Sequence, residues 1–459
     1  MKIVFITPAS DMRRFWGYRL GNLLYDRPNN ITGPLILGHI LKDAGHEVEV
    51  YEELYTNVDL KKITNVDIFC LYTMTSCAPR AYVLADTIHR ETNARVLIGG
   101  MHASVLPEEV AEHADQVIVG EAETVILDVV EGRTTDKIVY SECLKNLDDA
   151  PFPDYSLLKT PCVAANVLST RGCPFCCTFC TTSRMYHPYR ERSVDSVLEE
   201  LRYYKKLGFK YMNFEDDNFT ANKERTKEIC RRMIEENLVF KSTFFFGRTD
   251  LAKDEEMVEL LQKAHLTWVL VGFESLNQSS LDKINKKQNL SDIVACANIL
   301  AKHKIRLIAS FVLGIDGDGK EDIRRSVDFA KSINAYTLQP AILTPFPGTA
   351  DYEQFEKEQR MITKNWSYFD MMNVTFRPKG MTPWELQQQF LKANKRFYSF
   401  LGSFKIMKLF GLNYGLRRLG LWLLTSLAMF GAFVLSNYMK DSYYYILKNL
   451  TPQEGATTT

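Results

Sequence analysis

The chain has 459 residues, 46% of them apolar, so it is long enough for about three domains with full cores. Its 56 basic side chains balance its 56 acidic ones, which argues against a nucleic-acid-binding protein, and the apolar content excludes disorder. The apolar run at residues 3–6 is too short for a secretory signal, so we expect a cytoplasmic protein. Its ten cysteines are then reduced thiols, and four of them lie between Cys173 and Cys180.

Residues 1–140 alternate short apolar runs with helical stretches. We predict strands at 2–7, 47–51, 67–72, 95–99 and 116–119, with helices at 33–44, 79–90 and 107–113. This alternation indicates a doubly wound parallel sheet, which binds its ligand beyond the carboxyl ends of the strands. Thr73 and two glycine-rich segments, 99–104 and 120–124, fall at those ends. No G-x-G-x-x-G follows the first strand, so a dinucleotide is not favoured.

After a proline-punctuated linker at 141–163, the alternation resumes over residues 164–375. We predict strands at 164–169, 209–214, 241–247, 267–273, 306–313 and 336–343, and intervening helices at 194–207, 223–237, 254–265, 291–303 and 321–333. Six βα units in a row suggest a partial barrel with its chemistry on the loops that follow the strands.

Polar residues follow successive strands of this predicted barrel. They are the cysteine cluster after the first strand, Glu215-Asp216-Asp217 after the second, Arg248 after the third and Glu274 after the fourth. Two blander interpretations stay open. Asp216-Asp217 could cap a helix entered at 218–222, and Arg248 could form a surface ion pair with Asp250.

The cysteine cluster reads Cys173-Pro-Phe-Cys176-Cys177-Thr-Phe-Cys180. A structural zinc site would draw its ligands from two separated pairs, and no second C-x-x-C pair follows. Cys173, Cys177 and Cys180, spaced C-x3-C-x2-C, can instead hold three irons of a 4Fe–4S cube and leave the fourth iron open. Four buried structural cysteines are the remaining interpretation, and we expect the spare Cys176 to pack in the interior.

This spacing, after the first strand of a six-fold βα array, resembles the radical SAM superfamily over roughly residues 160–350. The resemblance implies the cluster ligands Cys173, Cys177 and Cys180 and a neighbouring aromatic, Phe179. It also implies that S-adenosylmethionine is bound by Asp216 and Asp217 at its amino group, by Arg248, by Glu274 near the ribose and by the segment at Gly314.

The first part of the chain resembles the cobalamin-binding subfamily, on Thr32-Gly33-Pro34 and the segments 41–48, 98–102 and 119–124. The resemblance implies that cobalamin is bound by Thr73, Gly99, Gly100, His102, Gly120 and Glu121. The D-x-H-x-x-G signature that supplies a histidine below cobalt is missing, and His102 is expected to be a polar loop residue rather than a cobalt ligand.

These resemblances imply an enzyme that cleaves S-adenosylmethionine with electrons from an external low-potential donor and methylates an unactivated carbon of an apolar or lipid-like small molecule. An oxidative, ring-forming reaction is the alternative within the subfamily. A membrane-attached, non-enzymatic metal-binding protein is a third interpretation, although it leaves the acidic motifs without a role.

Residues 376–459 are predicted to be helical, with an amphipathic helix at 381–400 and an uncharged run at 419–436. That run is at the lower edge of spanning length. Three interpretations stay open for it: a buried helix, a helix lying in a membrane interface, or a membrane span. A surplus of basic residues over 401–459 suits peripheral attachment to an anionic membrane surface.

Overall fold

The computed structural model describes residues 1–10 and 31–450. Its first sheet contains six strands, β1 (Lys2–Thr7), β2 (Glu47–Glu52), β3 (Ile68–Tyr72), β4 (Arg95–Gly99), β5 (Gln116–Val119) and β6 (Ile138–Tyr140). Five helices accompany it: α1 (Thr32–Asp43), α2 (Ala78–Glu91), α3 (Met101–Val105), α4 (Pro107–Ala111) and α5 (Ile126–Val130). All neighbouring strands are parallel, in the order β2-β1-β3-β4-β5-β6.

The first sheet is covered on both faces because side chains alternate along each strand. In β1, Ile3 and Phe5 join the core under α1 and α5, whereas Val4 and Ile6 join the core under α2. The strand order reverses between β1 and β3, and this switch point is where doubly wound sheets bind their ligands.

The second sheet holds six further parallel strands, β7 (Ala164–Val167), β10 (Tyr211–Phe214), β11 (Ser242–Gly247), β12 (Leu266–Glu274), β13 (Arg306–Leu313) and β14 (Thr337–Ile342). A small antiparallel pair, β8 (Thr170–Arg171) and β9 (Arg190–Glu191), lies beside it. The helices here are α6 (Thr182–Met185), α7 (Val194–Lys206), α8 (Lys223–Glu235), α9 (Glu255–Lys263), α10 (Gln278–Lys283), α11 (Leu290–Lys302), α12 (Lys320–Ser332) and α13 (Ala350–Lys357).

The order β14-β13-β12-β11-β10-β7 follows the chain, as expected for successive βα units curling into a partial barrel. The predicted fold class is confirmed in its three parts: a doubly wound sheet, a partial barrel and a helical region at the carboxyl end. The predicted domain boundaries stay predictions. The predicted linker packs on the first sheet, since Leu158 forms a bridge with Val50 and Asp154 pairs with Lys42 at 2.6 Å.

The last part of the described chain is helical, with α14 (Pro383–Phe397), α15 (Phe400–Phe410), α16 (Leu412–Tyr438) and α17 (Tyr443–Asn449). Thr382 caps α14 through a reciprocal pair of hydrogen bonds with Glu385. Within the described part of the chain, α16 is the one helix long and apolar enough to cross a membrane. Residues 451–459 of the predicted tail lie outside the described residues.

Candidate functional site

The carboxyl edges of the two sheets open onto one cavity of about 910 Å³. The first sheet contributes Tyr72, Gly99 and Gly120, and the second contributes Leu168 and Glu215. Ligands of doubly wound sheets and of βα barrels bind at this edge, so the shared cavity brings together two sites that normally occur on separate folds.

The cysteine loop begins at this cavity with Gly172. Gly172 has φ +82°, and a Cβ there would lie 2.1 Å from the carbonyl oxygen of Tyr186, so a residue without a side chain is required. Cys173, Cys177 and Cys180 are half-buried on the loop. The predicted interior position of Cys176 is wrong, because the structure leaves it exposed on the outside of the loop.

Two cations face the cysteine loop. Burial raises the pKa of Cys177, and the charges of Lys286 and Arg248 oppose that rise; burial also raises the pKa of Cys173 to about 11. Across residues 1–10 and 31–450, no three His, Cys, Asp or Glu side chains converge closely enough to share one metal ion. A 4Fe–4S cube makes no such demand, since each thiolate binds a different iron, and three thiols beside two cations suit its charge.

The structure separates the two aspartates of the acidic motif. Asp216 is fully buried and accepts hydrogen bonds at Oδ1 from Ser169 (3.0 Å) and Thr170 (2.6 Å), and burial raises its pKa to about 6. Asp217 lines the cavity and accepts a hydrogen bond from Thr182 at 2.9 Å, and burial also raises its pKa. The helix-capping interpretation is wrong, because Asn222 caps α8.

Arg248 and Glu274 both contact Lys286. The Arg248 guanidinium sits 3.7 Å from the Phe175 ring and donates to the carbonyl oxygen of Lys286, so the alternative surface pair with Asp250 is wrong. Glu274 pairs with Lys286 at 2.5 Å. Arg248 is buried outside the cavity lining, and its Nε has no hydrogen-bond partner among the described residues.

Glu274 ends β12 with φ +61°, where the strand register shifts after Gly272. A Cβ at residue 272 would lie 2.2 Å from Glu274 Oε1 and 2.7 Å from Lys286 Nζ. The missing side chain therefore makes room for this ion pair. Lys286 could not be identified from the sequence, because it reaches Glu274 only through the turn that follows α10.

Two other predicted residues of the barrel lie away from the cavity lining. Gly314 has φ +91°, and a Cβ there would lie 2.5 Å from Leu386 Cδ2 of α14. Phe179 is partly buried against the core of the second sheet. Contact of either residue with S-adenosylmethionine stays a prediction.

Four of the predicted cobalamin residues line the cavity, three glycines and Glu121. Gly99, Gly100 and Gly120 line it, and Gly100 has φ +101° with Thr73 O only 2.7 Å from where a Cβ would be. This is a close backbone edge facing a large space, which fits the extended ring of cobalamin. Among the described residues no histidine lines the cavity.

Thr73 and His102 lie behind this edge rather than in the cavity lining. The Thr73 hydroxyl donates to the Gly99 carbonyl at 2.8 Å. His102 is fully buried, its Nε2 is 3.0 Å from the Tyr82 hydroxyl, and its ring meets the Trp366 ring edge-on. Burial lowers the pKa of His102, although the charge of Glu109 opposes the change.

Glu121 also lines the cavity, but its carboxylate joins the two sheets' loops. It accepts hydrogen bonds from Arg171 Nη1 (2.7 Å) and from both terminal nitrogens of Arg190, one of them at 3.0 Å. Leu144 N donates to the same carboxylate at 3.2 Å. Sequence reasoning missed both arginines, because they lie 50 and 69 residues from Glu121 in the chain.

The comparisons with known proteins agree with this architecture. Residues 167–330 match the family model of the radical SAM superfamily. The chain is 28% identical over 396 residues to bacteriochlorophyllide d C-12(1)-methyltransferase of Chlorobaculum tepidum, covering 83% of this chain and 85% of that protein. It is also 24% identical over 362 residues to anaerobic magnesium-protoporphyrin IX monomethyl ester cyclase of Cereibacter sphaeroides. That match covers 71% of this chain and 59% of the cyclase.

Among solved structures, the chain is similar to the radical S-adenosylmethionine methyltransferase TsrM of Kitasatospora setae, determined with cobalamin and a 4Fe–4S cluster bound. The TM-score is 0.68 at 14% identity, over 94% of this chain and 99% of that one, which shows a shared fold. Residues 167–330 are thus a radical SAM domain, and the predicted resemblance to radical SAM enzymes with a cobalamin-binding domain is confirmed. These relatives are enzymes, which disfavours the non-enzymatic scaffold.

Proposed function

We propose that this protein is a cobalamin-dependent radical SAM enzyme that methylates an unactivated carbon of an apolar small molecule. The observation that carries the proposal is the single cavity shared by the carboxyl edges of both sheets, with the cysteine loop at its margin. When bound, the cluster and S-adenosylmethionine supply radical chemistry, and cobalamin supplies methyl transfer.

In this proposal Cys173, Cys177 and Cys180 hold the cluster, with Arg248 and Lys286 offsetting its negative charge. An external low-potential donor delivers the electrons. The carboxylate of Asp217, at the cavity surface, is positioned to accept hydrogen bonds from an amino group, whereas Asp216 holds the base of the cysteine loop through Ser169 and Thr170. Glu274 is held in place over Gly272 by its ion pair with Lys286.

The first sheet provides the floor of the cavity. Gly99, Gly100 and Gly120 leave backbone rather than side chains against the bound cofactor, and Glu121 holds this edge against Arg171 at the start of the cysteine loop. The two sheets flank the cavity, and filling it with the bound cofactors and substrate would limit the access of water to reactive intermediates. The chain's residues therefore position and shield, and the cofactors carry the chemistry.

The substrate class follows from the walls of the cavity. Side chains such as Ile36, Leu37, Met101, Val105 and Met185 line it beside a few polar groups. Walls of this composition fit a largely apolar small molecule with a few polar substituents. Both curated relatives described above are named for reactions on tetrapyrroles, which supports this class of substrate.

A second candidate is an oxidative, ring-forming reaction in the same cavity. It is favoured by the similarity to the anaerobic cyclase, which extends over 71% of this chain. The two candidates differ in the fate of the methyl group. Incubation with S-adenosylmethionine carrying a labelled methyl group gives labelled product only in the methylation reaction.

Anaerobic reconstitution with iron, sulfide and cobalamin tests the proposal. We expect about four irons per chain, retained cobalamin, and 5′-deoxyadenosine when S-adenosylmethionine and a strong reductant are added. Cys173→Ala, Cys177→Ala and Cys180→Ala are each expected to abolish 5′-deoxyadenosine formation. Cys176→Ala is the matched control, because Cys176 is exposed on the same loop.

Full activity of Cys177→Ala would contradict the cluster assignment. Normal cluster content with no bound cobalamin would contradict the role of the first sheet while leaving the radical SAM part intact. The two halves of the proposal thus fail separately.

A further inference from the structure

Helices α15 and α16 form a hairpin whose outer face is apolar and is not covered by any other described part of the chain. In α16, Leu412, Leu416, Leu423, Leu427 and Phe430 recur at intervals of four, seven, four and three residues, and each is at least half exposed. In α15, Leu401 is 79% exposed and Phe404 is 51% exposed. A contiguous stripe of this kind marks an interaction surface rather than ordinary surface scatter.

The inner face of α16 is fixed to the body of the protein at both ends. Near its start, the buried Arg418 guanidinium donates to the carbonyl oxygens of Tyr336 and Phe397, both at 3.1 Å. Beyond its end, the Tyr443 hydroxyl of α17 donates to the Val374 carbonyl at 2.6 Å. The helix is thereby held lengthwise against the protein, with only the outer face free.

The middle of α16 argues against a membrane-spanning arrangement. Lys395 of α14 donates to the Ser426 hydroxyl, and its ammonium lies 4.6 Å from the centre of the Trp422 ring. A spanning α16 would carry this charged side chain to the bilayer centre, where charges are strongly disfavoured. An orientation in the plane of the interface leaves Lys395 on the protein side.

The charges around the outer face select the kind of surface. Lys405, Lys408 and Lys440 are exposed along the hairpin and its end, and Asp441 is the one acidic residue between 400 and 449. Lys405 and Lys408 share a helical face with Leu401 and Phe404 of α15. Apolar side chains flanked by lysines are typical of helices that lie at an anionic lipid surface.

The hairpin also leaves the cavity accessible. Its first anchor lies at the amino-terminal ends of the second sheet, where Tyr414 meets the rings of Trp268 and Tyr336 edge-on or tilted. The cysteine loop lies at the opposite, carboxyl-terminal edge. A membrane bound at the hairpin therefore does not cover the cysteine loop.

We propose that α15 and α16 form an in-plane docking surface for an anionic phospholipid bilayer, with the apolar stripe inserted among the headgroups and the lysines beside the lipid phosphates. This attachment is independent of the reaction proposed above. It makes the protein a peripheral membrane protein.

The test uses the full chain and sedimentation with phospholipid vesicles. We expect binding to vesicles containing phosphatidylglycerol, weak binding to phosphatidylcholine alone, and loss of binding as salt is raised. A variant carrying Lys405→Glu and Lys408→Glu is expected to bind at least about tenfold more weakly, since each lysine near an anionic surface contributes a factor of about five.

A second variant, Leu427→Glu with Phe430→Glu, removes part of the apolar stripe without touching the inner face and is also expected to lose binding. Val83→Glu is the matched control, because Val83 is 54% exposed on α2 of the first sheet and should leave binding unchanged. Unchanged circular dichroism and S-adenosylmethionine cleavage confirm that each variant is folded.

Three outcomes overturn the proposal. One is that the full chain does not sediment with anionic vesicles. Another is a stable dimer in lipid-free solution that Phe430→Glu separates, which would assign the stripe to a second copy of the chain. The third is vesicle attachment that high salt and charge reversal leave unchanged, which would indicate a span.

Discussion

Replacing Glu121 by alanine tests how the two sheets are held together. The carboxylate is buried and receives hydrogen bonds from Arg171, Arg190 and Leu144 N. Removing one partner of a buried ion pair costs about 3–5 kcal/mol, because the other charge is left buried and unpaired. Arg171 keeps Glu123 at 2.5 Å and Arg190 keeps the Leu144 carbonyl at 2.5 Å, so we expect the low end, about 3 kcal/mol.

The loss should be local before it is global, because a chain with several folded units does not unfold in one step. Hydrogen exchange measured by mass spectrometry is the suitable assay. Amide exchange in the segment around Leu144 and around Arg171 should accelerate, and the temperature of the first unfolding transition should fall. Glu123→Ala is the matched control, since among the described residues Glu123 pairs with Arg171 alone, and it should give a smaller effect.

The same variant makes a prediction about pH. Burial disfavours the charged form of Glu121, but Arg190 and Arg171 outweigh it, and the net pKa is lowered. A carboxyl whose pKa is lowered by folding stabilises the fold above its unfolded pKa and loses that contribution as the pH falls through the folded value. The difference between wild type and Glu121→Ala should therefore shrink in acid. Equal stability at neutral pH, within about 0.5 kcal/mol, would refute this reasoning.

Further predictions concern the acidic motif and one glycine. Asp217→Asn should weaken S-adenosylmethionine binding, measured by equilibrium dialysis of the reconstituted enzyme, more than Asp216→Asn does, because Asp217 lines the cavity; equal losses would contradict this. Folding raises the pKa of Asp216 to about 6, so the contribution of the protonated carboxyl to stability is lost as the pH rises through that value. Above pH 6, Asp216→Asn should therefore raise the free energy of unfolding by up to about 3 kcal/mol, as measured by urea titrations at two pH values. Gly314→Ala should destabilise the fold by about 2 kcal/mol in thermal unfolding, because its Cβ would lie 2.5 Å from Leu386 Cδ2. Gly208→Ala, at φ +81° with open space around it, should destabilise the fold less. Similar losses for the two variants would show that backbone strain alone determines the loss of stability.

The fold could be predicted closely because its signals are local. The run at Arg306–Leu313 is apolar, β-branched and bounded by helices, and the structure has a strand with those bounds. Among the described residues, prediction missed the short strands β6, β8 and β9. The edge strand β6 has three residues, and Tyr140 in it is 68% exposed. So short an edge strand is stabilised by pairing with β5 rather than by its own composition.

The site was predictable only where its residues are close in sequence. The spacing on one loop is enough to predict Cys173, Cys177 and Cys180 as a ligand set. The roles of Glu121 and His102 could not be inferred, because burial, Arg190 and Trp366 come from distant parts of the chain. The exposure of Cys176 likewise depends on how the loop turns rather than on its neighbours in sequence.

The close approach at Gly272 restricts how this site can drift in evolution. Any side chain at 272 occupies the space used by Glu274 and Lys286, which lie 2.2 Å and 2.7 Å from its Cβ position. A side chain at 272 displaces the ends of Glu274 and Lys286 and so breaks their ion pair, unless one of those two residues has already changed. Descendants of this chain that lose the pair can accept a side chain at 272, and from that point the ion pair cannot return by a single mutation.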